Sequence, residues 1–235
     1  TLVLTKDGER RIDSIVGKKV TIWNGYEWAE VEPRITGHNQ PMKKITFSNG
    51  NELYCTNYHK FVLSDNRRVE AKDLCIGDKL AKFEHPIIEA GNDIDNKLAY
   101  TQGFFSGDGY NRRKNEKIIL LYGQKKNLTQ FMLDGVQRYD YENKSRLALT
   151  LTKYSKDLNK DFVPNIEYSV KSRINWLEGI VDSDGTRNSK EGSIAITSIN
   201  KPFLIKVKSM LMTLGISCVI SICKKSTFKK LPSNN

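Results

Sequence analysis

Four cysteines in 235 residues, Cys55, Cys75, Cys218 and Cys223, are too few and too scattered to frame a disulfide-stapled fold. Cys218 and Cys223 are separated by four intervening residues without histidines to match them, so a zinc site is not expected, and they read as packing residues of a last strand. No run of about 18 apolar residues is present, which excludes an obvious membrane-spanning helix, and no secretory leader pattern opens the chain. The expectation is a soluble protein of the cytoplasm, large enough for two domains and with no membrane partner. Acidic residues are scarce in one part only. Residues 1–92 hold 14 Lys and Arg against 13 Asp and Glu, whereas residues 93–235 hold 24 against 14. Of the net charge of +11, +10 therefore lies in the second part. That is the footprint of a duplex-DNA binder, in which cationic side chains displace counterions from phosphates. Single clusters such as Arg112-Arg113-Lys114, Lys125-Lys126 or Lys224-Lys225 are discounted as solvated faces.

Two segments of the basic part say the same thing. QGFFSGDGY at 102–110 and EGIVDSDGT at 178–186 share a small-x-x-x-small-Asp-Gly pattern, with Asp108 and Asp184 76 residues apart. Helix-like sequence precedes each, and on a helix Gly103 and Gly107, like Gly179 and Ser183, stand one turn apart on one face. Small residues so placed let two backbones touch, as they do in membrane helix pairs. Two touching helices would end side by side and bring Asp108 and Asp184 together. A carboxylate at the negative end of a helix dipole is unfavourable, so a convergent pair needs a compensating cation. One copy alone is equally a tight helix contact followed by a glycine cap; the repetition argues for the pair. The repeat also extends further. A β-rich run, a polar Lys and Asn turn and an amphipathic helix closed by Gly135 or Gly215 are expected after each motif, followed by β-like runs at 146–152 and 216–222.

This double motif resembles the LAGLIDADG, or DOD-type, homing endonucleases. The resemblance implies a monomer with pseudo-twofold αββαββα halves at about 93–160 and 161–235. It further implies that Asp108 and Asp184 are catalytic metal ligands, usually for magnesium (Mg2+), and that twisted sheets read double-stranded DNA in the major groove. Base contacts are then expected from strand residues within 110–125, 138–153 and 187–200. Two acids sharing metal ions supply the activated water and the charge relief that phosphodiester hydrolysis requires. A lysine near each metal site assists in that family. Three candidates stand here: Lys144 and Lys224, at similar offsets in the two halves, and Lys160, which precedes Pro164. Asp182, whose counterpart in the first motif is Ser106, is not expected to be required.

The first part reads as an all-β domain of short strands: 2–5, 20–23, 28–35, 43–48, 52–56, 61–63 and 79–83, with turns at Asp7-Gly8 and Asn49-Gly50. LYCTNYHKFVL at 53–63 carries a Thr-x-x-His step, Thr56 and His59. Together with TLVLTKDGERRIDSI at the start and AKDLCIGDKL at 71–80, it resembles the Hint domain of an intein. The resemblance implies that Thr56 and His59 support the first acyl shift of protein splicing, His59 by moving a proton near neutral pH. His38 and His85 are expected at the surface. Inteins begin with a nucleophilic cysteine and end with a His-Asn pair, and this chain runs from Thr1 to Asn234-Asn235. A fragment unable to splice in cis is the expectation. The overall reading is a multi-domain protein, a mostly-β partial Hint domain at 1–92 and an α+β LAGLIDADG endonuclease domain at 93–235. The function it points to is intein homing, with exteins of a host such as a ribonucleotide reductase as partners. The alternatives are a splicing element with an inert nuclease half, and a DNA-binding protein that does not cut.

Overall fold

A computed structural model describes residues 2–48, 52–113, 116–139, 145–189 and 192–221. The chain divides into two compact units. One combines Thr1–Arg34 with Glu84–Ile216; the other holds Ile35–Phe83 and the chain from Ser217 onward, as far as it is described.

In the first unit, strands β1 (Leu2–Thr5), β2 (Gly8–Arg11), β3 (Val20–Trp23) and β4 (Trp28–Val31) form an antiparallel sheet in the order β2-β1-β3-β4. The expected Asp7-Gly8 turn closes the first hairpin. Gly8 has φ +99°, a left-handed value that favours glycine, and Thr5 Oγ1 donates to Gly8 O at 2.6 Å while accepting from Asp7 N.

Two long helices are the spine of this unit. Helix α1 (Asn96–Asp108) begins where the Asp95 carboxylate accepts from Leu98 N, and α2 (Val170–Asp184) where Ser169 Oγ accepts from Ser172 N. Each runs directly into a strand, α1 into β9 (Gly109–Arg113) and α2 into β13 (Gly185–Asn188). Gly109 and Gly185 are extended at φ −74° and −72°, so left-handed freedom is not their purpose. A Cβ at Gly109 would lie 2.5 Å from Phe105 O and one at Gly185 2.3 Å from Val181 O. Glycine is required there because the strand departs against the helix's own last turn.

After α1, β9, β10 (Glu116–Tyr122), β11 (Val136–Tyr139) and β12 (Arg146–Thr150) form an antiparallel sheet in the order β11-β12-β10-β9. Its inner face places Ile119, Leu121, Leu147 and Leu149 against Tyr100, Phe104 and Phe105 of α1. After α2, β13 pairs with β14 (Ser193–Ile196), and α3 (Lys201–Met212) follows, capped by Asn200. Trp176 and Ile180 of α2 bury with Phe203, Val207 and Met210 of α3.

The two halves are less alike than the repeat suggests. In place of the helix expected before Gly135, residues Gly123–Phe131 form a 3-10 stretch. Met132 and Leu133 then enter the core extended, Leu133 N donating to Thr101 Oγ1 at 2.8 Å, so a helix cannot continue through them. Gly135 serves a close strand approach: a Cβ there would meet Thr150 O at 2.6 Å. The corresponding Gly215 does follow a helix, with φ +73°. Residues 216–221 of the expected last strand are not in a strand, and residue 222 lies outside the described residues.

The second unit contains the hairpins β5 (Met42–Thr46) with β6 (Glu52–Thr56) and β7 (Lys60–Val62) with β8 (Arg68–Glu70). Cys55, Phe61 and Ala71 are its buried centre, packed by Ile45, Leu53, Val69 and Leu80. The expected Asn49-Gly50 turn lies outside the described residues. The run 79–83 is not a strand; Leu80 makes only an isolated bridge to Leu63.

Candidate active site at the ends of the paired helices

The small residues of the two motifs bring α1 and α2 into backbone contact. A Cβ on Gly103 would fall 1.9 Å from Trp176 O, and one on Gly179 2.0 Å from Tyr100 O. Gly107 faces Ser183, whose Oγ would be 2.0 Å from an added Cβ, with Asp184 Oδ2 at 3.0 Å from the same point. Asp108 and Asp184, the last residues of the two helices, are thereby brought together.

Two lysines hold this junction. Lys125, from the 3-10 stretch after β10, donates to Asp108 Oδ2 at 2.7 Å and to Ser183 O at 2.6 Å. Lys160 donates to Gly107 O. Gly107 and Ser183 occupy equivalent positions, each immediately before its aspartate. A cation therefore satisfies a last-turn carbonyl of each helix, where an unpaired acceptor and the negative dipole end favour positive charge. Lys125 also lies over the buried Phe104 ring, 5.8 Å from its centroid.

The electrostatics follow from the crowding. Desolvation first, and the neighbouring Asp108 second, push the Asp184 carboxyl above its ordinary range, with Lys160 and Lys125 pulling it back. Burial lowers Lys160, and Asp184, Asp108 and Asp161 oppose that shift.

The acids and Lys160 are candidates read from the sequence; the groups that surround them are not. Lys125 was set aside with its neighbour as a solvated cluster. Buried Gln102 clamps the segment carrying Lys160: its side chain accepts from Asn159 N at 2.9 Å and donates to Asn159 O at 2.7 Å. Ser106 Oγ adds a bond to Phe162 O at 3.3 Å. Asp182 Oδ2 accepts from Tyr100 Oη at 2.7 Å across the helix pair. The remaining lysine candidates, Lys144 and Lys224, lie outside the described residues.

The face of the four-stranded sheet turned away from the α1 core carries Tyr110, Arg112, Tyr122, Arg138 and Arg146, exposed. The register aligns them, with Tyr110 opposite Ile118 and Tyr122 opposite Arg146. In the second unit, Thr56 ends β6 and His59 follows in a turn, its N–H donating to Thr56 O at 3.1 Å and its ring edge-on to Phe61. His38 is exposed as expected; His85 is instead partly buried, which lowers its basicity.

Among the described residues no three His, Cys, Asp or Glu side chains converge on a point that could hold a metal ion. The donor set at the helix ends is two carboxylates with the Gly107 and Ser183 carbonyls close by. All are hard oxygens, the chemistry that suits Mg2+.

Comparison with known proteins adds three findings. Residues 172–233, from α2 through α3 and beyond, match the LAGLIDADG-like domain family. The chain is also 32% identical over 244 aligned positions to the ribonucleoside-diphosphate reductase large subunit of Invertebrate iridescent virus 6, covering 94% of this chain and 25% of that protein. It is 26% identical over 157 positions to the replication factor C small subunit of Methanocaldococcus jannaschii, covering 65% of this chain and 8% of that protein. The chain thus spans about a quarter or less of the curated relatives it matches.

Proposed function

We propose that this chain carries a site-specific, metal-dependent DNA endonuclease, borne by an intein and attached to a splicing domain. The observation that carries the reading is the meeting of Asp108 and Asp184 at the ends of two helices in backbone contact. The LAGLIDADG-like match over 172–233 supports it from the second half. A relative named as a reductase large subunit, of which the match covers only a quarter, fits an insertion inside a ribonucleotide reductase host. The nuclease part would run from about residue 93, and the segment just before it is tied to the entry of α2 by Asn92 N to Glu167 O and Ser169 N to Asn92 O.

A bound divalent ion would supply a polarised phosphate and an activated water. Asp108 and Asp184 would hold it. The chain's own cations act on the nucleic acid: Lys125 and Lys160 present positive charge where negative charge grows on a phosphodiester. Burial makes the Lys160 ammonium the easier proton donor to a leaving oxygen. Tyr110, Arg112, Tyr122, Arg138 and Arg146 are the proposed readers of duplex DNA, the arginines suited to guanine edges or phosphates. Thr56 and His59 would serve the splicing half.

The reading is tested with a plasmid carrying a reductase gene without the insertion, incubated with protein and Mg2+. Wild type should linearise it, whereas Asp108→Asn and Asp184→Asn should bind without cutting. Equal cutting by either variant would overturn the assignment.

A further inference from the structure

We infer that Lys125 is a resident counter-ion of the acid pair, which a divalent cation must displace in order to bind; this rests on the metal-dependent reading above. Its ammonium spans the junction: it bonds the carboxylate of Asp108 on α1 and the carbonyl of Ser183 on α2. Those are two of the oxygens that a hard cation at the helix ends would use. One positive group and one divalent ion compete for the same lone pairs, because an ammonium within hydrogen-bond distance of a carboxylate oxygen blocks close approach of a metal there.

Lys125 is held for this task rather than lying there by chance. It leaves the turn directly after β10, beyond Gly123 in its left-handed conformation at φ +53°. Its ammonium lies over the edge of the core at the Phe104 ring, and 38% of its side chain is exposed, so it can swing outward without unpacking a core. Lys160 is differently placed. It reaches the main chain at Gly107, is partly buried and is fixed by the Gln102 clamp on Asn159, so it stays when Lys125 leaves. The consequence is a site whose charge is balanced without metal, with metal affinity set by how readily Lys125 is drawn away. A phosphodiester is an acceptor able to draw it.

The test is titration of the whole chain with Mn2+, following the electron paramagnetic resonance of the free ion, without DNA. Lys125→Met, which keeps the stem and removes the charge, should bind Mn2+ at least about tenfold more tightly than wild type, the scale of one charge-assisted bond. Lys125→Arg should stay as weak as wild type, and Asp108→Asn should lose the ion. Circular dichroism establishes that each variant is folded. If Lys125→Met, folded, binds no more tightly than wild type while Asp108→Asn has lost the ion, the counter-ion role is wrong and the metal site stands. If Asp108→Asn binds as wild type does, the metal site itself is wrong and this inference falls with it. Should Lys125→Met fail to fold, Lys125→Arg binding about tenfold more tightly than wild type would equally overturn the competition.

Discussion

Replacing Gly103 by alanine tests whether α1 and α2 truly touch, because two opposing effects have opposite signs. In a helix interior alanine is favoured over glycine by about 1 kcal/mol, so a Gly103 facing open space would be improved by the change. Here the new Cβ would lie 1.9 Å from Trp176 O and 2.8 Å from Trp176 C, against the 3.4 Å at which ordinary contact begins. Both atoms are main chain and cannot rotate away, so the helices must part locally by about 1.5 Å. Overpacking of this kind costs about 1–3 kcal/mol, and a backbone clash belongs at the upper end. The expected net is a loss of about 1–2 kcal/mol in urea unfolding. Gly179→Ala should cost a similar amount from the other side, since its Cβ would lie 2.0 Å from Tyr100 O. The double variant should cost less than the sum, because helices already separated for one methyl accept the second. A rise in the unfolding midpoint for either single variant would refute the backbone contact. The same displacement reaches the proposed catalytic end: a misplacement of about 1 Å can cost about a hundredfold in rate, so DNA cutting by the folded variant should fall by about that factor.

Further outcomes follow from the same geometry. Arg173 is fully buried and meets no carboxylate among the described residues; its guanidinium bonds Thr213 O at 3.1 Å, Thr213 Oγ1, Tyr168 O and Ile88 O. Arg173→Met leaves those carbonyls orphaned and should cost about 3 kcal/mol in urea unfolding, with Lys in its place recovering little because one ammonium cannot fork between them. Because Asp184 is raised in the folded protein, its proton is held more tightly there, and the stability this contributes is lost as pH rises from the ordinary carboxylate range through the raised value. Asp184→Asn should therefore melt above wild type at pH 8 without metal, and the gap should close on acidification; a gap that widens in acid would contradict the shift. Tyr100→Phe removes the bond to Asp182 across the helix pair and should cost about 1 kcal/mol, measured by thermal unfolding.

The part of this site that sequence reveals is the part encoded within one helix. Small residues four apart, followed by an acid and a glycine, specify a face and an end, and both copies fold as they read. Lys125 was illegible because its position depends on where the turn after β10 lands once Ile119 and Leu121 have packed on α1. Repeat logic pointed to Lys144 and Lys224, one from each half. Both lie outside the described residues, among which the lysines at the helix ends are Lys125, from the turn after β10, and Lys160, from the segment leading to α2. The local pattern reads as an amphipathic helix closed by Gly135, yet Met132 is needed extended in the core, and tertiary burial overrides that pattern. His85 shows the same limit: nothing local marks the burial that lowers it.

Affinity cleavage with Fe2+ tests whether Asp108 and Asp184 share one cation. Loaded in place of Mg2+ and treated with ascorbate and peroxide, the ion generates radicals that cut the polypeptide where it is bound. Two scissions are expected, one beside Asp108 and one beside Asp184, both suppressed by excess Mg2+ and both lost in Asp108→Asn. Scission at only one of these helix ends, or elsewhere in the chain, would contradict it.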